Sequence, residues 1–296
     1  VKEILVARSA GFCFGVRRAI AIADETARSS GAAGGASEPI QSLGPVIHNP
    51  QVVRDLEAKG LRVAHSVEEI GRGKVVIRSH GITRADRETL ETKGVSVIDA
   101  TCPFVTKAQE HARALSREGY AVVVVGDPDH PEVRSIVSYI EPGVPVITSL
   151  EELRRAKGIR KAGIVAQTTQ SFDRLAEFVG EAVRRFPEVR IFNTICNATA
   201  LRQRESKAVA ARSELMIVVG GYNSANTRRL AEICRAVNAG TIHIETADEL
   251  PADRVAGLSR VGVTAGASTP EWIIEGLVER IRQVWRDDEV AVSLYG

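Results

Sequence analysis

The sequence predicts an α/β protein: three repeated α/β lobes with mostly parallel sheets, each giving one cysteine and two polar loops to a common centre. Three observations predict it. Short Val/Ile-rich runs bounded by Gly and polar residues alternate with amphipathic stretches, the pattern of parallel strands joined by crossover helices. Cys13, Cys102 and Cys196 each end one strand-like run and open one helix-like run. The intervals between them are nearly equal and mark a repeat of roughly 90 residues. A chain of 296 residues also exceeds one small core.

The elements follow in the same order in each repeat. A cysteine-bearing corner ("EILVARSAGFC", "VSVIDATC", "RIFNTIC") leads into a helix ("FGVRRAIAIADETA", "PFVTKAQEHARAL", "NATALRQRESKAVA"). Pro103 suits a first helical turn, where its missing N–H costs nothing. A strand and a first polar loop come next: "GPVIHNPQVV", "GDPDHPEVRSI" and "GGYNSANTRRL". After another helix, a second strand ends in a second polar loop: "IRSHGIT", "VAQTTQS" and "TAGASTPEW". The third repeat lacks a final strand, and the first strand of the chain is expected to fill that place. The lobes are therefore placed at 14–102, at 103–195 and at 196–285, the last completed by the N-terminal strand 1–13. Residues 286–296 read as a C-terminal tail, and "SSGAAGGASEP" (29–39) as a surface loop.

Composition excludes several functions. Thirty-nine basic residues nearly balance 37 acidic ones, for a net charge of +2, so nothing marks a nucleic-acid binder. No apolar run approaches the roughly 20 residues a bilayer requires. Four cysteines are too few for a disulfide scaffold, and the reading is a cytoplasmic protein with reduced thiols. Neither GxxxxGK[ST] nor GxGxxG occurs, so neither ATP nor a dinucleotide is expected.

The cysteines point to a metal centre. Each precedes a helix N-terminus, where the backbone favours a thiolate. Three thiolates leave one coordination position open, which suits catalysis better than a closed structural site. Soft thiolates suit an iron–sulfur cluster or zinc. A zinc-stabilised binding protein is the rival reading, though zinc would take a fourth Cys or a His nearby. Cys234, in "LAEICRAV", reads as core packing. His65, His111 and His243 lie outside the polar loops and read as surface or satisfied polar residues.

The polar loops supply His48, His130, Ser224 and Asn226 from the first set, and His80, Thr168 and Ser268 from the second. In open parallel sheets, ligands bind outside the carboxyl ends of the strands. Neutral donors together with helix N-termini suit a small phosphorylated ligand. Glu132, beside His130 in "DHPEV", is the natural proton donor.

"GFCFGV", "GPVIHNP", "RSHG", "DATCPFV", "HPEV", "QTT", "NTICNAT" followed by "RQ", "NSANTRRL" and "VTAGAST" together resemble the 4-hydroxy-3-methylbut-2-enyl diphosphate reductase family, from about Gly11 to Trp272. The resemblance implies a trefoil around a central [4Fe–4S] cluster. It implies that Cys13, Cys102 and Cys196 ligate three irons and that the fourth iron takes the substrate's terminal hydroxyl oxygen. Loss of that open iron gives a [3Fe–4S] form. It implies that two electrons and two protons remove the oxygen as water, giving isopentenyl and dimethylallyl diphosphate in the last step of the non-mevalonate route. His48, His80, His130, Ser224, Asn226 and Ser268 match diphosphate-holding positions. Thr168 matches a residue near the hydroxyl end, and Glu132 matches the proton source. An external ferredoxin or flavodoxin is the implied electron donor. Apart from the resemblance, Arg17, Arg18, Arg202 and Arg204 read as a modest basic patch on which a small acidic partner would dock. The chain departs from the pattern at Ala225, where a second serine is common, and at Asp127, where histidine is common.

Overall fold

A computed structural model describes residues 2–31, 38–286 and 289–296. The centre of the expected loop at 29–39 therefore lies outside the described residues. Along the chain, β1 (Lys2–Ala7) and α1 (Phe14–Gly31) are followed by β2 (Ile40–Leu43), α2 (Pro50–Ala58), β3 (Leu61–Ala64), β4 (Lys74–Ile77), α3 (Arg84–Thr92) and β5 (Ser96–Asp99). The second repeat has α4 (Pro103–Arg117), β6 (Ala121–Val125), α5 (Pro131–Ser138), β7 (Val146–Ile147), α6 (Leu150–Arg155), β8 (Lys161–Ala166), α7 (Phe172–Arg185) and β9 (Glu188–Ile191). The third has α8 (Asn197–Arg212), β10 (Leu215–Val219), α9 (Ala225–Arg235), β11 (Ile242–Ile244), α10 (Ala252–Ala256), β12 (Arg260–Ala265), α11 (Glu271–Trp285) and β13 (Val290–Tyr295).

The strands form three sheets, ordered β3-β2-β4-β5, β7-β6-β8-β9 and β11-β10-β12-β1-β13. Among the described residues every pairing is parallel. The order is the same in each sheet: second strand, first, third, fourth. In the third sheet β1 takes the fourth place, with Ile4 opposite Val261, as the repeat pattern required.

Residues 286–296 are not simply a tail. β13 adds a fifth strand beside β1, pairing Lys2 with Val290 through Ala7 with Tyr295. The alternation in "VAVSLY" is a strand signal, and helix α11 supplies the crossover that a parallel edge strand needs.

The chain divides into two compact units. One holds residues 1–14, 48–52 and 197–296 and carries the five-stranded sheet. The other holds residues 15–47 and 53–196 and carries both four-stranded sheets. Strand burial explains the hydrophobic runs. In β6, Val122 and Val124 pack against Ala108, Ala112 and Leu115 of α4, whereas Val123 and Val125 pack on the opposite face against Leu175 and Phe178 of α7. Both faces of the strand are covered, so it reads as an unbroken apolar stretch rather than an alternating one. Cys234 lies fully buried on α9, where burial pushes its thiol up to about 12. That fits its reading as core packing.

In such sheets the crevice opens where the strand order reverses. Here that point lies between the first and third strands of each sheet: β2 and β4, β6 and β8, β10 and β12. The loops leaving these strands are the polar ones.

Candidate metal and anion site

Each cysteine corner is fixed by the same backbone hydrogen bond. Cys102 N–H donates to Ser79 O at 2.9 Å, Cys196 N–H to Thr168 O at 3.0 Å, and Cys13 N–H to Ala267 O at 3.3 Å. In each case the acceptor lies in the second polar loop of its sheet. Cys102 caps α4 in an extended conformation, with Pro103 in the first helical turn. Cys13 and Cys196 directly precede α1 and α8. All three are half-buried, in contrast to Cys234.

The Cys102 thiol sits in a cradle that requires glycine. A Cβ on Gly15 would lie 2.5 Å from Cys102 Sγ and 3.2 Å from its Cβ. Gly15 is two residues beyond Cys13 in the sequence, inside the "GFCFGV" corner.

The second polar loops share one turn. Gly81 N–H donates to Arg78 O, Gln170 N–H to Gln167 O, and Thr269 N–H to Gly266 O. This register makes His80, Thr169 and Ser268 equivalent, with Ser79, Thr168 and Ala267 one residue earlier. Thr168 is thus offset from the positions of His80 and Ser268. Counting "QTT" against "RSHG" leaves the two threonines ambiguous, and only the turn resolves them.

The first polar loops share a cap. Asn49 Oδ1 accepts from Val52 N–H at 3.0 Å, His130 Nδ1 from Glu132 N–H at 3.1 Å, and Ser224 Oγ from Thr227 N–H at 3.3 Å. Asn49, not His48, is therefore the counterpart of His130 and Ser224. Two residues beyond each cap stand Gln51, Glu132 and Asn226. The sequence reading passed over Gln51, which shares the place of Glu132 and Asn226 once the caps are aligned. Ala225 is the first residue of α9 and offers its backbone there. Asp127 Oδ1 accepts from Asp129 N–H at 3.1 Å, an Asx turn that shapes the loop without a histidine.

Glu132 is 2% exposed. Burial pushes its carboxyl from the ordinary range up to about 7, against an opposing pull from the Thr168 hydrogen bonds. Thr168 N–H donates to Glu132 Oε1 at 2.6 Å. A carboxyl poised near neutrality is a suitable general acid. The His80 and His130 rings meet edge-on with centroids 5.3 Å apart. Because His130 Nδ1 accepts a hydrogen bond, a neutral ring carries its proton on Nε2. Ser268 Oγ donates to His48 O at 3.0 Å, so its hydrogen must turn away from that carbonyl to serve a phosphate. Asn226 Nδ2 is a buried donor with no hydrogen-bond partner. Such a group costs free energy unless a ligand satisfies it.

Arg202 is 3% exposed and does not belong to a surface docking patch. Its guanidinium is turned inward onto backbone carbonyls of the Cys13 corner. His111 stacks on Phe192, and His243 Nε2 lies 2.8 Å from Gly220 O. His111 thus packs outside the polar loops, whereas His243 ties its strand to the start of one, at Gly220.

An α/β scaffold of parallel sheets with half-buried cysteines at its strand ends, a buried neutral-range carboxyl and neutral anion donors has the chemistry of a class: metal-dependent enzymes of small anionic substrates. The chain belongs to the LytB protein family, which matches residues 4–282, and that family is one of iron–sulfur enzymes. It is 54% identical over 281 residues to a protein from Geobacter sulfurreducens named 4-hydroxy-3-methylbut-2-enyl diphosphate reductase, covering 95% of this chain and 97% of that one. A relative of the same name from Geobacter metallireducens is 52% identical, covering 95% and 98%. A solved structure titled as (E)-4-hydroxy-3-methyl-but-2-enyl diphosphate reductase, the terminal enzyme of the non-mevalonate pathway, is 44% identical with a TM-score of 0.70, covering 96% of this chain and 100% of that one. A solved structure titled as the E-1-hydroxy-2-methyl-but-2-enyl-4-diphosphate reductase from Plasmodium falciparum is 25% identical with a TM-score of 0.91, covering 99% of this chain and 92% of that one. Among the described residues, no helix is long and apolar enough to cross a membrane.

Proposed function

We propose that the protein reductively dehydroxylates 4-hydroxy-3-methylbut-2-enyl diphosphate to isopentenyl and dimethylallyl diphosphate at a [4Fe–4S] cluster held by Cys13, Cys102 and Cys196. The observation that carries this reading is the shared corner: each of the three cysteines donates its N–H to the second polar loop of its own sheet. Family membership supports the same reaction.

The donor set fits the cluster. Three soft thiolates suit iron–sulfur chemistry, and glycine at position 15 leaves the Cys102 sulfur its space. Bound there, the cluster supplies electrons and a Lewis-acidic iron for cleavage of the C–O bond. The chain's own residues do the rest. Glu132, protonated up to about neutral pH, delivers a proton to the departing hydroxyl oxygen, which leaves as water. Thr168 holds that carboxyl through its backbone N–H. Asn226, His48, His80, His130, Ser224 and Ser268 hold the diphosphate. A second proton reaches the allyl carbon, and two electrons balance the reaction. The sequence carries no flavin or nicotinamide motif, so these electrons come from another protein, and the family resemblance implies a ferredoxin or flavodoxin. A reducing cytoplasm suits three thiolate ligands.

The test is anaerobic reconstitution with iron and sulfide, followed by turnover of the substrate with a chemical reductant. The expected result is a brown protein that forms both isomeric diphosphates. A colourless protein that binds zinc and forms neither product overturns the reading.

A further inference from the structure

We infer that Arg202 is a positioning residue that sets the geometry of the Cys13 thiolate, an inference that rests on Cys13 ligating the proposed cluster. The corner from Arg8 to Cys13 lies between β1 and α1 and has no regular structure of its own. It contains Gly11 at a φ of 97°, in the left-handed region that only glycine enters at little cost. Two side chains of α8 fix this corner. Arg202 Nε donates to Ser9 O at 3.0 Å, and its Nη2 donates to Ser9 O at 2.6 Å and to Gly11 O at 2.7 Å. Glu205, one turn further on, accepts from Ser9 N–H at 2.8 Å. Both side chains are buried.

Burying charged groups is a poor way to stabilise a fold, because well-packed apolar residues often do as well or better. Arg202 has a more specific capacity. Its planar fork binds two carbonyls at once and fixes their relative orientation, which lysine cannot reproduce. Those carbonyls stand four and two residues before Cys13.

The other corners show related bracing. On α1, Arg18 donates to Thr101 O at 3.1 Å and to Asp99 O at 3.4 Å, just before Cys102. On α4, the His111 ring stacks on Phe192 with centroids 4.0 Å apart, four residues before Cys196. The helix that follows one cysteine thus braces the corner of another: α1 that of Cys102, α4 that of Cys196, α8 that of Cys13. The brace at Cys13 is the buried one with the shortest hydrogen bonds.

The test uses the reconstituted holoprotein under anaerobic conditions. Iron is drawn off by a chelator in the presence of an alkylating agent, and mass spectrometry assigns the order in which Cys13, Cys102 and Cys196 are trapped. In R202M, iron release should quicken by roughly tenfold, the scale of losing charge-assisted hydrogen bonds, with Cys13 trapped first. R202K keeps the charge but loses the fork, and should fall between R202M and the wild type. If R202M does not fold, R202K alone decides by the same order of trapping. In R18M the order should shift towards Cys102 instead. A merely structural role predicts a lowered melting temperature with all three thiols trapped faster in the wild-type order, and that result overturns the inference. So does wild-type behaviour in R202M and R202K. If the wild-type chain takes up no iron–sulfur cluster, the cluster reading itself fails, and the trapping order of the variants plays no part in that outcome.

Discussion

Thr168 joins Glu132 to the Cys196 corner through a single residue. Its N–H donates to Glu132 Oε1 at 2.6 Å, and its carbonyl accepts from Cys196 N–H at 3.0 Å. The proposed proton donor and a proposed cluster ligand are therefore held by the same short segment of backbone. A carboxyl with a pKa of about 7 is protonated below neutrality and loses its acid function above it. Turnover per substrate bound should decline above about pH 7. E132Q should retain the cluster and bind substrate, yet lose turnover by several orders of magnitude, since an amide donates no proton. Near-normal turnover in E132Q would place the acid elsewhere.

The same carboxyl makes stability depend on pH. Its native pKa lies above the ordinary carboxylate value, so between about pH 4.5 and pH 7 the folded chain binds the proton more tightly than the unfolded chain. Stability from this group is therefore greatest at the acid end and declines as pH rises towards 7, by on the order of 3 kcal/mol. E132Q carries no such penalty. Thermal melts at pH 5 and pH 8 should show E132Q gaining on the wild type at the higher pH. A gap between the two that does not change with pH would mean that Glu132 is not buried as described.

Cys13→Ser, Cys102→Ser and Cys196→Ser should each abolish or greatly weaken cluster binding, whereas Cys234→Ser should leave it intact. Cys234 is wholly buried among apolar residues, with its thiol pushed up to about 12, and an inert thiol of that kind is no ligand. Iron and sulfide analysis of the four variants checks this. Equal loss in all four would sink the assignment.

Gly15 separates fold stability from site geometry. Alanine inside a helix is ordinarily favoured over glycine by about 1 kcal/mol. At position 15, however, the added methyl would lie 2.5 Å from Cys102 Sγ, closer than any ordinary contact. In G15A the helix gain and the crowding of Cys102 oppose each other, so the melting temperature should change little while iron uptake falls steeply. A variant with full cluster content would show that the Cys102 sulfur is not confined there.

The repeat was legible in the sequence because its signals are chemical and local. Cysteines at strand ends, a proline after Cys102 and polar loops at matching places all survive as text. The placement of β1 beside β12 followed from a missing strand, and the pairing of Ile4 with Val261 bears it out. Other features depend on three-dimensional register. The offset between Thr168 and His80 is one residue, and adjacent threonines hide it. Arg202 reads as surface charge because a charged residue on a helix is usually solvated, and only the packing of α8 on the Cys13 corner turns it inward. β13 was missed because a short edge strand after a long helix has the composition of a tail.

Asn226 tests the phosphate half of the reading. It stands two residues past the Ser224 cap of α9, in the place that Glu132 takes past His130. Its Nδ2 is buried without a hydrogen-bond partner, and leaving such a donor unsatisfied is costly. A diphosphate oxygen would satisfy it, and a charge-assisted bond of this kind contributes roughly 1.5–3 kcal/mol. Asn226→Ala should then weaken inorganic pyrophosphate binding by about ten- to a hundredfold, while the visible spectrum of the cluster stays unchanged. Calorimetric titration of both proteins under anaerobic conditions measures the difference. The backbone N–H groups at the start of α9, including that of Ala225, remain in the variant and keep some affinity for the anion. Loss of all binding would therefore point to a collapsed loop rather than a missing donor. Equal affinity in the two proteins would mean that "NSAN" is a turn and no more, and Asn226 would lose its place in the anion site.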